Sequence, residues 1–153
     1  MKYVLLNKRD LNKVRIFLDN INKEFLQSKY PRKINPLERY INAPNRRMII
    51  AKENGKIAGY ISYRFNFRNN GWIIGIGVSK KYRRKGIGSI LFKKAVNDLG
   101  KKHNRIVVRT WSTNVKSCSL FEKMGFKKSR TIKNRRVDGS DDVWFYRKNN
   151  IVS

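Results

Sequence analysis

The spacing of apolar residues changes along the chain, and each change marks a new element. Residues 3–6 form a short apolar run that predicts a strand. Asp10 stands as a helix cap before Leu11, Val14, Leu18, Ile21 and Phe25, which recur at helical spacing. Pro31 and Pro36 break that pattern with a loop, and a short helical piece follows around residues 37–41. Residues 48–51 read as a strand, Asn54-Gly55 as a hairpin turn and 57–67 as a longer alternating strand. A second Asn-Gly pair at 70–71 predicts another tight hairpin into "WIIGIGV", a continuous apolar run that suits a central strand buried on both faces.

Beyond that strand, Ile87, Ile90, Leu91, Ala95 and Leu99 make a helical stripe that stops at Gly100. Residues 105–110 predict a strand and 114–124 a helix ending at Gly125. Thr131 and residues 143–146 belong to two last strands around a polar turn. Hairpins followed by a β-α-β crossover imply an α/β (α+β) architecture. It is a mixed, mostly antiparallel sheet with one parallel pair at its centre, flanked by helices. The chain has no internal repeat and no Pro/Gly/Ser-rich linker, so residues 1–153 read as a single domain.

Composition narrows the setting. The single cysteine, Cys118, excludes an internal disulfide, and no apolar run reaches the 18 residues of a membrane span. "MKYVLLNKRD" lacks the apolar stretch of a secretory leader, so a cytoplasmic location is expected. Lys and Arg number 37 against 10 Asp and Glu, a net charge of +27 spread over the whole length. So basic a protein favours acidic partners, of which nucleic acid or a particle containing it is one; a solvated basic surface and an anionic membrane face are the alternatives.

Candidate chemistry begins at "KKYRRKGIGSIL", where five cations crowd into residues 80–85 ahead of two glycines and an apolar helix. Gly86 and Gly88 permit close backbone passage, and the helix beginning near Ser89 presents amide N–H groups to an anion, helped by Arg83. Several converging amides suit a pyrophosphate better than a lone carboxylate. The spacing fits neither the Walker loop nor the dinucleotide fingerprint. A plain turn with solvated cations is the competing reading.

"NVKSCSLFEKMGF" (residues 114–126) follows the next strand. With Arg83-x-x-Gly86-x-Gly88 before it, the sequence resembles the GNAT superfamily of acyl-CoA-dependent N-acyltransferases. That family's signature places Arg/Gln-x-x-Gly-x-Gly/Ala on the pyrophosphate loop, and Asn, a small residue and Tyr on a later helix before Gly-Phe. The order of elements from Tyr3 to Tyr146 is similar too. The resemblance implies acetyl-CoA as cosubstrate and no metal. On it, the amides of Arg84, Lys85, Gly86, Ile87, Gly88 and Ser89 and the Arg83 side chain hold the phosphates. Ile76, Gly77 and Val78 line the pantetheine, with Ile76 and Val78 pairing it by backbone bonds. Asn114 fixes the pantetheine arm, Ser117 supplies the small residue, and Lys123 or Lys116 meets the ribose phosphate. The Ile76 N–H is the expected oxyanion donor, a role worth about 2.7 to 4 kcal/mol.

Two departures bear on mechanism. The family's proton-donating tyrosine is Phe121 here, which lines the thioester pocket without a proton to give, and "WIIGIGV" offers no carboxylate base. An enzyme so equipped should prefer an amine that is easily neutral at pH 7. Deprotonation costs roughly 4.6 kcal/mol for a lysine but only about 1 to 1.4 for an α-amine. The expected acceptor is therefore an α-amine, on a protein N-terminus or an aminoacyl-tRNA, the latter also matching the charge. The alternative is a basic RNA- or ribosome-binding module that keeps the fold without turnover. The general acid and base stay unassigned: Tyr146 and Ser112 could donate a proton, and His103 is a base candidate or otherwise an exposed linker residue. Cys118 could form a transient acyl-cysteine but reads better as a small buried thiol. Trp111 and Glu38 are expected near the acceptor side, and Asp138, Asp141 and Asp142 read as turn chemistry. The sequence leaves the oligomer open, a dimer included.

Overall fold

The computed structural model describes residues 1–25, 28–29 and 36–149. Its elements follow the order β1 (Lys2–Leu5), α1 (Leu11–Asn22), α2 (Arg39–Asn42), β2 (Arg46–Glu53), β3 (Lys56–Phe67), β4 (Asn70–Val78), α3 (Ile87–Gly100), β5 (Arg105–Trp111), α4 (Val115–Lys123), β6 (Lys127–Ile132) and β7 (Asp142–Lys148). The strands form one sheet in the order β1-β2-β3-β4-β5-β7-β6, antiparallel throughout except between β4 and β5. That parallel pair is the product of the β4-α3-β5 crossover. The turn expected at Pro31 lies outside the described residues.

Alternation in the strands sends apolar side chains to two cores. One face carries Ile61, Tyr63, Phe65, Ile73 and Phe145 against Leu91, Phe92 and Leu99 of α3 and Phe121 of α4. The other carries Met48, Ile50, Ile57 and Tyr60 against Val14 and Ile21 of α1. In α3 the inward stripe is Ile87, Leu91, Phe92, Ala95, Val96 and Leu99; Ile90, expected within it, is exposed.

Local details depart from the pattern for physical reasons. Asp10 occupies the cap position of α1 but does not cap it, because its carboxylate takes Lys52 Nζ at 2.8 Å and Asn7 Nδ2 at 3.0 Å. The β3–β4 turn falls on Arg68 and Asn69, both left-handed, two residues before the Asn-Gly pair; Phe67 pairs Asn70, whose side chain bonds the Arg68 carbonyl. Strand β4 is not buried on both faces throughout. Ser62 pairs Gly75 and Tyr63 pairs Ile73, so Ile74 is the extra residue of a bulge and is 47% exposed.

Candidate functional site

Strands β4 and β5 are joined only at Gly71–Ile106 and Trp72–Val107. Past those two pairs β4 continues to Val78 and β5 to Trp111 without pairing each other, so the sheet opens into a cleft at its centre. The Ile74 bulge lies just beyond the last pair and increases the local twist. One edge of β4 in the cleft thus presents backbone to the gap rather than to a neighbouring strand.

At the outer end of β4 the chain turns through a 3-10 segment, Lys80–Tyr82. Tyr82 is buried and anchors the turn, while Lys81 and Lys85 sit over its ring at 5.6 and 5.5 Å. The crowded cations are therefore spread around one ring. Arg84 (φ +63°) and Gly86 (φ +76°) are both left-handed, which curls the backbone into α3, and a Cβ at Gly86 would meet nothing within 4 Å. Gly86 caps α3 without a side chain, and its carbonyl takes the first helical bond from Ile90. The amides of Ile87, Gly88 and Ser89 precede that bond at the positive helix end. This turn, with its uncapped amides and cations, adjoins the mouth of the cleft and can cradle an anion.

The other expected residues stand as follows. Ile76 is half-buried and packs toward the α3 side. A Cβ on Gly77 would come within 2.7 Å of Ile21 Cδ1, 3.0 Å of Tyr60 Cε1 and 3.3 Å of Phe25 Cζ. The Val78 carbonyl accepts from Arg83 Nε at 2.9 Å, and the same guanidinium binds Glu24 at 2.5 Å. Arg83 holds the Glu24 carboxyl below its ordinary pKa, chiefly by that hydrogen bond. Asn114 caps α4, accepting from the Ser117 amide at 3.4 Å and donating to Thr110 Oγ1 at 3.0 Å; its nitrogen keeps a second hydrogen. Phe121 is 1% exposed and stacks on Phe92 at 5.3 Å, with Phe145 edge-on at 5.4 Å. Lys116 and Lys123 are exposed on α4.

Two residues that the sequence reading did not assign to the site sit at the cleft. The Tyr60 ring lies across Gly75 and Gly77: a Cβ on Gly75 would be 2.9 Å from the Tyr60 hydroxyl. Burial pushes that phenol well above its usual pKa, with a smaller contribution from Tyr40, so it remains an O–H donor at neutral pH. Glu24 is the second. The signal for Tyr60 was the glycine pair itself, on the strand beside its own.

Phe25 and Lys29, after α1, reach the end of β5 and the β6–β7 loop. The Lys29 amide bonds the Arg135 carbonyl at 2.9 Å, and Phe25 meets Trp111 at 6.1 Å between ring centres. Glu38 pairs with exposed Arg15 at 2.7 Å. Asp138 and Asp141 make turn contacts, but Asp142 does not: it is 2% exposed, 2.6 Å from Arg136 and 3.7 Å from Arg109. The Ser112 hydroxyl accepts the Asp141 amide. His103, expected as an exposed linker, is buried and accepts the Asn66 amide on Nε2 at 3.1 Å. Burial raises the Cys118 thiol above its ordinary pKa, which disfavours a nucleophilic thiolate. Among the described residues no group of three or more His, Cys, Asp or Glu could hold a metal ion, and no helix is long and apolar enough to cross a membrane.

Comparison with known proteins places this geometry. The profile of the acetyltransferase (GNAT) family matches residues 15–126. An "N-alpha-acetyltransferase" of Sulfurisphaera tokodaii is 27% identical over 105 residues, covering 60% of this chain and 63% of that protein. The match thus spans about three fifths of that relative's length. The crystal structure of the ribosomal-protein-S18-alanine N-acetyltransferase from Escherichia coli superimposes with a TM-score of 0.78 at 17% identity, over 99% of this chain and 96% of that one. Arabidopsis thaliana NAA60 in complex with acetyl-CoA gives 0.75 at 12% identity, over 96% and 97%.

Proposed function

The chain belongs to the acetyltransferase (GNAT) family, and from that premise we propose that it transfers an acetyl group from acetyl-CoA to the α-amine of a protein N-terminus. The observation that carries the reading is the open edge of β4 running into the anion cradle at α3. Relatives named for N-alpha-acetylation and for a ribosomal-protein alanine support the choice of acceptor.

Acetyl-CoA supplies the activated acyl group. The amides of residues 84–89 bind its diphosphate, and the β4 backbone at Ile76, Gly77 and Val78 lines the gap that takes its arm. The Ile76 N–H donates to the carbonyl oxygen as charge builds there. Asn114 offers its remaining N–H from the β5 side of the gap. The amine nitrogen forms its bond to the carbonyl carbon as the carbon–sulfur bond breaks, and the amine proton leaves to solvent. Phe121 stands where many relatives have a tyrosine and donates nothing. Tyr60 replaces it in part, its O–H stabilising the departing sulfur anion by a hydrogen bond. Arg83 spends one N–H on the Val78 carbonyl and one on Glu24 and offers its remaining N–H groups to the diphosphate.

The test is acetyl transfer from labelled acetyl-CoA to short peptides with a free N-terminus, and to the same peptides with a blocked N-terminus and an internal lysine. Label on the α-amine alone is expected near neutral pH. Titration calorimetry should detect acetyl-CoA binding that Gly86→Glu abolishes, with a melting curve to show that the variant folds. Transfer to lysine in preference, label entering tRNA instead, or no binding of acetyl-CoA would each overturn the reading.

A further inference from the structure

The two faces of the sheet are covered unequally. Helices α3 and α4 pack on one face, and α1 with α2 covers β2 and β3 on the other. Among the described residues no helix covers the remaining half of that second face, from the end of β3 across β4, β5, β7 and β6. Phe67 meets Trp72 edge-to-face at 5.3 Å, and Trp72 meets Trp144 at 5.1 Å, closing over Val107. Tyr146 continues the row along β7, two residues on from Trp144 on the same face.

Guanidinium groups lie on these rings. Arg64 and Arg68 sit over Phe67 at 4.4 and 5.4 Å, Arg109 and Arg130 over Trp144 at 5.8 and 5.5 Å, and Arg105 over Tyr146 at 4.7 Å. Lysines outnumber arginines 21 to 16 in the chain, yet Phe67, Trp144 and Tyr146 are each topped by arginine. Buried Asp142 is shared by Arg136 and Arg109. The indole N–H groups of Trp72 and Trp144 also have no acceptor among the described residues.

We propose that this arginine-topped aromatic face binds single-stranded RNA. The guanidiniums over the partly buried rings of Phe67, Trp144 and Tyr146 offer stacking surfaces for bases, and as cations they follow a phosphate chain, a combination that RNA binders use. An acidic peptide would match the charge but leave the rings without a purpose, which is why RNA is favoured. The platform spreads from the laced end of β4 and β5, away from the anion cradle, so RNA and acetyl-CoA bind together.

The experiment uses the full chain and a fluorescein-labelled, uridine-rich RNA of about a dozen nucleotides, read by anisotropy across a salt series. Arg105→Glu with Arg130→Glu alters two exposed cations of the face; Lys93→Glu with Lys101→Glu makes the same charge change at an exposed position of α3 and at the exposed residue that follows it. The first pair should weaken binding at least about tenfold and make the slope of log affinity against log salt shallower by about 1.4, the share of two phosphate contacts. The second should change binding by less than about threefold. Melting curves and acetyl-CoA binding confirm that both variants fold. Equal losses in both pairs would mean a diffuse field, displacement of RNA by polyglutamate at matched charge would mean an acidic protein partner, and no binding by the parent chain would mean a solvated face; each overturns the proposal.

Discussion

The ring of Tyr60 fills the space that side chains at Gly75 and Gly77 would occupy, which explains two of the three glycines of β4. Gly77→Ala must push against Ile21, Tyr60 and Phe25 together. A net loss of about 1 to 2 kcal/mol in urea unfolding is expected after the entropy gained by removing a glycine. Tyr60→Phe removes only an oxygen and should leave the fold and acetyl-CoA affinity alone. Acetyl transfer should then slow by about 10- to 100-fold, the worth of a hydrogen bond to a charged group; an unchanged kcat would exclude the role given to this hydroxyl. Arg83 shows why individual site residues were only partly legible in the sequence. Its motif marks an anion loop, but its resting partner Glu24 lies 59 positions away and no local pattern joins them.

At the level of elements, periodicity was a good guide where burial is one-sided and a poor one where contacts are distant. Helices α3 and α4 and the parallel centre of the sheet follow from spacing and from the crossover. The bulge at Ile74 and the turn at Arg68–Asn69 do not, because register there answers to strand pairing rather than to residue type. His103, between α3 and β5, is an element-scale case. Its ring nitrogen must be unprotonated to accept the Asn66 amide that ties the β3 end to this junction. Burial, then the nearby Lys102 charge, lowers its pKa from 6.5. The folded chain therefore holds this proton less readily than the unfolded chain. The contribution is complete above about pH 6.5 and is lost as pH falls through the folded value. Urea midpoints should drop between pH 7.5 and pH 5, and His103→Gln should flatten that dependence.

For the molecule as a whole, charge dominates. Among the described residues, Asp10, Glu24, Glu38, Asp98, Asp141 and Asp142 sit within 4 Å of a cation, and the net charge with all ten acids counted is still +27. The compact state carries that self-repulsion, and screening should relieve it. The melting temperature is expected to climb as sodium chloride is raised from low to physiological ionic strength. A flat response to salt would show that the cations are far enough apart to ignore one another. The opening between β4 and β5 has a consequence of a different kind. A zip left half undone accepts only a tape with matching teeth, and here the teeth are peptide groups. A donor whose tail carries amides can act as a surrogate strand, whereas ethyl thioacetate, with the same reactive bond and no tail, should be a very poor acetyl source however much of it is supplied.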